Sequence, residues 1–305
     1  MAISTRCTRS SHPIANASAS TSKSADRAAT RESPMHERIS VHQMCFAGAG
    51  LSNYVRQCRT LGARRIGFIS PALLAPGGLA EARAALAGGD FAVETVAHVF
   101  RAGHLSRDRN EWRESRESLA RLIDIAAGLD ARSIYMLTGG HGGLCWEDAA
   151  DCFCEAVAPC VERAKSAGVG LAIENASALY AEIHIAHSLA DTLTLAEMAG
   201  VGVCIELFFC WAEAGLPALF ARAMPRCQLV QLSDYCYGDR SLPARAVPGD
   251  GVIWLEHIVR SLLDAGYAGA FDLELLGPRI DAEGPPAAVA RAAAHVGKLL
   301  THLGA

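Results

Sequence analysis

Ala270-Phe271-Asp272-Leu273-Glu274-Leu275-Leu276-Gly277-Pro278 is a short apolar run that carries a carboxylate near its C-terminal end and stops at Gly-Pro. Apolar residues bounded by turn formers read as a buried strand. A carboxylate in such a strand must be paired, protonated or bound to metal, because a lone buried charge is costly. Three earlier runs repeat the design. Gly168–Asn175 ends on Glu174, Val201–Phe208 carries Glu206, and Leu229–Asp234 carries Gln231 and Asp234. Buried strands that each deliver a polar group at the C-terminal end imply one shared site.

Outward from these runs, the chain alternates. Strands are expected at Ile39–Phe46, Arg65–Ser70, Phe91–Phe100 and Ser133–Leu137, followed by the four acid- or amide-bearing runs. Helices are expected at Leu51–Leu61, Leu79–Ala87, Asn110–Leu129, Trp146–Ala167, Ser188–Ala199, Leu216–Ala223, Trp254–Ala265 and Pro286–Leu303. Gly62, Gly168, Gly200 and Gly266 stand where helices stop. Strand–helix alternation gives a parallel sheet. Eight units over residues 37–305 fit an α/β fold of the closed (β/α)8 TIM barrel type, as one domain. An open doubly wound sheet is the alternative, and no GxGxxG opens the first helix to favour it. Residues 1–36, rich in Ser, Thr, Ala and Arg, read as a disordered tail, or as a start assigned too early with Met35 the true one.

Composition narrows the function. The 305 residues carry a net charge of −4, and no strongly basic face is declared, which argues against a nucleic-acid partner. No run of 18 apolar residues suggests a membrane span. The 11 cysteines form no CxxC pair and sit mostly in apolar segments, so a cytoplasmic setting with reduced thiols is expected.

In a barrel the chemistry sits at the C-terminal ends of the strands. Glu174, Glu206, Gln231 and Glu274 would converge there. Three close carboxylates repel, and a divalent cation resolves the repulsion; the alternative is that one or more of them only pairs an Arg at the barrel mouth. All-oxygen ligands suit one Mg2+ or Mn2+, with Co2+ the next candidate. The charged stretch Arg107–Arg121 reads as a solvated helix face.

The spans LAIEN (171–175), VCIELFFCW (203–211), VQLSDY (230–235), RAVPGDGVI (245–253) and GYAGAFDLELLGP (266–278) occur in the order expected of one family. In these spans the chain resembles the xylose-isomerase-like barrels: sugar isomerases, epimerases and inosose dehydratases, with endonuclease IV a relative. The resemblance implies one metal held by Glu174, Glu206, Gln231 and Glu274. Glu206 stands where Asp is usual, Gln231 takes a position held by His or Gln, and Phe209 replaces a His found in many relatives. It implies an isomerase or epimerase acting on a small sugar, ketose or keto-polyol, with Glu174 and Glu274 exchanging a proton through an enediolate. A dehydratase-type lyase on the same scaffold and a metal-free binding barrel are the alternatives. A homo-oligomer is compatible with either. Arg245 is expected against substrate. His98 ends strand three, facing either substrate or structural partners; His141 lies in a glycine loop that either closes over the site or is solvated. Trp211 either stacks on substrate or walls the barrel mouth. His42 is lining or core, His184 and His187 lie near the pocket, and Asp234 either backs a ligand or caps the following loop.

Overall fold

The computed structural model describes residues 35–305, so the tail expected at 1–36 lies almost wholly outside the described residues. Eight parallel strands close on themselves in sequence order: β1 Ile39–His42, β2 Arg65–Ile69, β3 Ala92–Val99, β4 Ser133–Leu137, β5 Gly170–Glu174, β6 Gly202–Glu206, β7 Cys227–Leu232 and β8 Phe271–Leu273, with β8 pairing back to β1. The principal helices between and after them are α1 Leu51–Thr60, α2 Gly78–Leu86, α3 Arg113–Ala127, α4 Trp146–Ala167, α5 Leu189–Ala199, α6 Leu216–Ala223, α7 Leu255–Asp264 and α8 Pro285–Leu303. This is the expected TIM barrel.

Local chemistry explains the elements. The strands are buried on both faces, as parallel strands wrapped in helices must be. Ser188 caps α5 in a reciprocal box with Asp191, and α5 ends on Gly200 in the left-handed region at φ 67°. Amphipathic α7 turns Leu255, Ile258, Val259 and Leu262 onto the sheet. One apolar layer fills the space between strands and helices. A second, smaller cluster of Tyr135, Ala172, Cys204 and Leu229, with Ala97 against it, fills the barrel itself. At the N-terminal end of the barrel, buried Glu94 pairs with Arg65 and Arg132. No helix among the described residues is long and apolar enough to cross a membrane.

Of the boundaries that differ from expectation, four have a clear local reason. β1 stops at His42, whose Nδ1 accepts from the Met44 amide at 3.3 Å and diverts Gln43–Phe46 into a 3-10 turn. β2 gives way at Ser70 to a short helix, Ser70–Leu74, with Pro71 in its first turn. The helix expected from Asn110 starts as a 3-10 turn, Arg109–Trp112, before α3. β8 ends at Leu273, which leaves Glu274 just beyond the ladder. The charged stretch Arg107–Arg121 is the solvated face its pattern implies: its charged residues are exposed except Arg116, which is half-buried and donates to the Glu155 and Ala156 carbonyls of α4.

Candidate active site and metal centre

Glu174 is the last residue of β5, Glu206 the last of β6, and Glu274 follows β8. One oxygen from each lies within 4.8 Å of the other two. All three side chains are buried. Burial first, then the charges of Glu274 and Glu206, raises the Glu174 pKa well above the carboxylate range. Burial also lifts Glu206 to about 7, with Arg245 pulling the other way.

Arg245 enters this cluster from the loop after β7. Its Nη2 lies 3.4 Å from Glu206 Oε2 and 3.6 Å from Glu274 Oε2. Its guanidinium sits over the rings of Phe208 and Phe209 at 5.1 and 5.2 Å, a cation–π contact on both. Burial works to lower the Arg245 pKa, yet Glu274, Glu206 and Glu174 together hold it above its ordinary value. One guanidinium against three carboxylates leaves the ionised cluster short of two positive charges.

Glu206 Oε1 accepts from the Phe208 amide at 2.8 Å, while Oε2 is buried without a hydrogen-bond partner. A carboxylate oxygen with no hydrogen bond and only the 3.4 Å ion pair to Arg245, facing two other carboxylates in an all-oxygen set, fits a divalent cation. Gln231 differs from the expected ligand role. Its Nε2 donates to Glu274 Oε2 at 2.7 Å, and its Oε1 accepts from Cys204 Sγ at 3.3 Å. It reaches the cluster with its donor, and would offer oxygen only after the carboxamide turns over.

The side chains that hold these acids in place were mostly unassigned by sequence reasoning. The Asn175 carboxamide clamps Glu206 by both backbone groups, accepting from its N–H and donating to its carbonyl at 2.9 Å each. His184 accepts from the Thr138 amide at Nδ1, 3.1 Å, which leaves the proton on Nε2 to donate to the Glu174 carbonyl at 2.8 Å. Burial holds that imidazole neutral, with a pKa lowered to about 4. Cys45 bridges both sides of Glu274, its thiol donating to the Leu273 carbonyl and accepting from the Leu275 amide. Deeper in the barrel, Gln231 also contacts Tyr135 and Asp272, and Tyr135 meets His42 at 3.3 Å. Burial raises the Asp272 pKa far above normal. Asp272 had a legible signal: it stands two residues before Glu274, so a strand points both the same way.

Asp234 resolves as the organiser of the loop. Its Oδ1 accepts from the Tyr235 and Ile253 amides and its Oδ2 from Gly249 and Gly251, all at 2.8–3.0 Å. A Cβ at Gly251 would sit 2.3 Å from Asp234 Oδ1, so the loop closes this tightly only with glycine there. Backbone bonds between Asp234 and Ala246, and from the Arg245 amide to the Leu276 carbonyl, then fix Arg245.

Above the acids a cavity of about 500 Å3 opens at the barrel mouth, bordered by Glu174, Glu274, Arg245, Tyr135, Tyr180 and Phe209 among others. His98 also borders it. Strand alternation sends Ala97 inward and turns the His98 ring to Ser70 Oγ at 2.9 Å. Trp211 and His141 lie outside this lining. Trp211 packs by Tyr235 over a neighbouring depression, and His141 stands beside His187 with ring centroids 6.3 Å apart.

The family profile described as xylose isomerase-like TIM barrel, of the AP endonuclease 2 type, matches residues 55–299. A search of curated proteins finds no significant match. Among solved structures, a protein from Sinorhizobium meliloti 1021 is 25% identical with a TM-score of 0.77, covering 86% of this chain and 98% of its own. An IOLI protein with a binding zinc atom is 13% identical, TM-score 0.74, covering 87% and 98%. D-psicose 3-epimerase with D-tagatose, from Clostridium cellulolyticum H10, is 16% identical, TM-score 0.69, covering 88% and 98%. The barrel and its profile together show that the chain belongs to the xylose isomerase-like TIM barrel family.

Proposed function

We propose that the chain is a metal-dependent isomerase or epimerase, moving a proton at the carbon beside a carbonyl in a small ketose or keto-polyol. The observation that carries this reading is the convergence of three buried carboxylates on a single guanidinium, that of Arg245. Glu174, Glu206 and Glu274 would hold the ion, Mn2+ or Mg2+, with Gln231 Oε1 as a fourth oxygen after its amide turns. When bound, the ion supplies Lewis-acid polarisation of the carbonyl and neutralises the cluster.

The chain's own residues do the rest. Glu174 and Glu274 both border the cavity. One takes the proton from carbon; the C–H pair becomes the C=C of an enediolate while the carbonyl π pair moves to oxygen. The other returns a proton to carbon, on the opposite face for epimerisation or at the neighbouring carbon for isomerisation, where the hydroxyl proton of the enediolate passes to the former carbonyl oxygen. Arg245, permanently charged, donates to the developing oxyanion. Without the ion, Gln231 Nε2 holds one oxygen of Glu274 at 2.7 Å, a bond that the turned amide would give up to the ion. The Arg245–Phe208–Phe209 stack limits water on that side.

Calorimetric titration of Mn2+ into metal-stripped protein tests the ligand set. One site per chain is expected, weakened at least about tenfold by Glu206→Gln, roughly 1.4 kcal/mol. Undiminished binding in that variant removes Glu206 from the set. The mass of the product separates the reactions: an unchanged mass supports proton transfer, and loss of water assigns the chain to the dehydratase alternative.

A further inference from the structure

The cavity has one polar end and a hydrocarbon body. Glu174, Glu274, Arg245 and Tyr135 form the polar end. Around and above it the wall is Met44, Ile69, Leu74, Val99, Leu137 and Leu276, with the edge of Phe209 against Tyr180 at a centroid distance of 6.0 Å. Most polar side chains at the wall are already engaged. Ser70 and His98 bond each other, and the Tyr135 hydroxyl meets His42 and Gln231. Away from the acids, the Tyr180 hydroxyl and the solvent-sealed Nε2 of His98 are what remains.

A free ketose carries a hydroxyl on nearly every carbon. Two of its oxygens answer the acid end; of the other four in a ketohexose, at most two would meet the Tyr180 hydroxyl and His98 Nε2, and the rest would face methyl, methylene and aromatic carbon. A hydroxyl desolvated without a partner loses on the order of tenfold in affinity, whereas a methylene in the same place gains. Sites that recognise several hydroxyls supply a buried polar partner for each. This wall does not.

We propose that the natural substrate is a hydroxyl-poor α-hydroxy ketone: one carbonyl–hydroxyl pair for the acid end and an alkyl or aryl remainder for the wall. The inference rests on the proton-transfer reading above and narrows its substrate class. No further chemistry is added; the same proton leaves and returns to the same kind of carbon.

The test compares D-fructose with its 4,5,6-trideoxy counterpart, 1,3-dihydroxyhexan-2-one of the same C3 configuration. Deuterium uptake at carbon from D2O is followed on the Mn2+-loaded enzyme, with rates referred to the open-chain forms. Calorimetry measures binding of each compound separately. The trideoxy compound should bind at least about tenfold more tightly and exchange at higher kcat/KM. Val99→Thr replaces a methyl by a hydroxyl at nearly constant volume, and Phe209→His adds a ring donor; each should shift the binding ratio toward fructose. Equal or tighter binding of fructose by the wild-type protein overturns the inference while exchange upholds the parent reading. Preferential binding of the trideoxy compound without exchange of either supports the apolar wall and overturns the parent reading. Unshifted ratios in both variants, once circular dichroism shows them folded, count against the wall as the source of selectivity.

Discussion

His184 shows how much a single side chain decides here. Its ring joins the β4 end to the β5 end: Nδ1 takes the Thr138 amide and Nε2–H gives to the Glu174 carbonyl. His184→Ala strands both buried backbone groups. About 2–4 kcal/mol of stability should be lost, read from the urea midpoint, with a fall in kcat because Glu174 is no longer fixed. The same partners explain what was legible residue by residue. Glu174 and Glu274 stood out because each is a carboxylate in an apolar strand. Asn175, Cys45 and Tyr135 did not, because an amide, a thiol and a phenol in such runs are ordinary and their meaning lies in contacts across distant strands. Glu206 was legible as an acid, while the division of its oxygens between the Phe208 amide and the Arg245 guanidinium follows from where those groups fall in the fold.

At the scale of elements, the loop after β7 is the part that places Arg245. Four backbone amides converge on Asp234, so Asp234→Ala should release the segment Val247–Ile253 and with it Arg245. KM is expected to rise at least about tenfold, with faster amide hydrogen exchange confined to that loop. Asp234→Asn, which keeps Oδ1 as an acceptor, should lose less. Gly251→Ala should phenocopy Asp234→Ala, since its methyl would collide with the Asp234 carboxylate. The glycines of this loop were readable as turn formers; that one of them abuts a carboxylate was not, because close approach is a tertiary fact. For the same reason the sequence marked all eight strands but overran the ends of β1 and β2. There a side-chain cap at His42 and a helix-starting Pro71 cut the ladder short.

Across the whole molecule, the barrel order followed from eight alternating units, and the convergence of the acids followed from the barrel. What the sequence did not reveal is the polar interior beneath the mouth, where Asp272 and Tyr135 join Gln231 and His42 on the inside. Inward and outward faces of a doubly buried strand look alike in sequence. Buried histidines make stability depend on pH. Burial lowers the His98 pKa from 6.5 to about 4. The unfolded chain therefore binds more protons between those values, so this contribution is complete above pH 6.5 and is lost as pH falls toward 4. Wild-type protein should lose roughly 2–3 kcal/mol to this group between pH 7 and 4.5. The stability difference between wild type and His98→Asn should shrink by that amount over the same range, read from urea midpoints. Mn2+ at a hundredfold excess over its Kd should add about 2.7 kcal/mol to wild-type stability and much less to Glu206→Gln.

The central claim is that Glu174 and Glu274 move a proton on and off carbon at this cluster. Its most direct test is deuterium uptake from D2O into an α-hydroxy ketone by the Mn2+-loaded protein, measured by NMR for wild type, Glu174→Gln and Glu274→Gln. Wild type should label the carbon beside the carbonyl, and each variant should be slower by about a thousandfold or more. Wild-type labelling that persists undiminished in both folded variants would contradict the account.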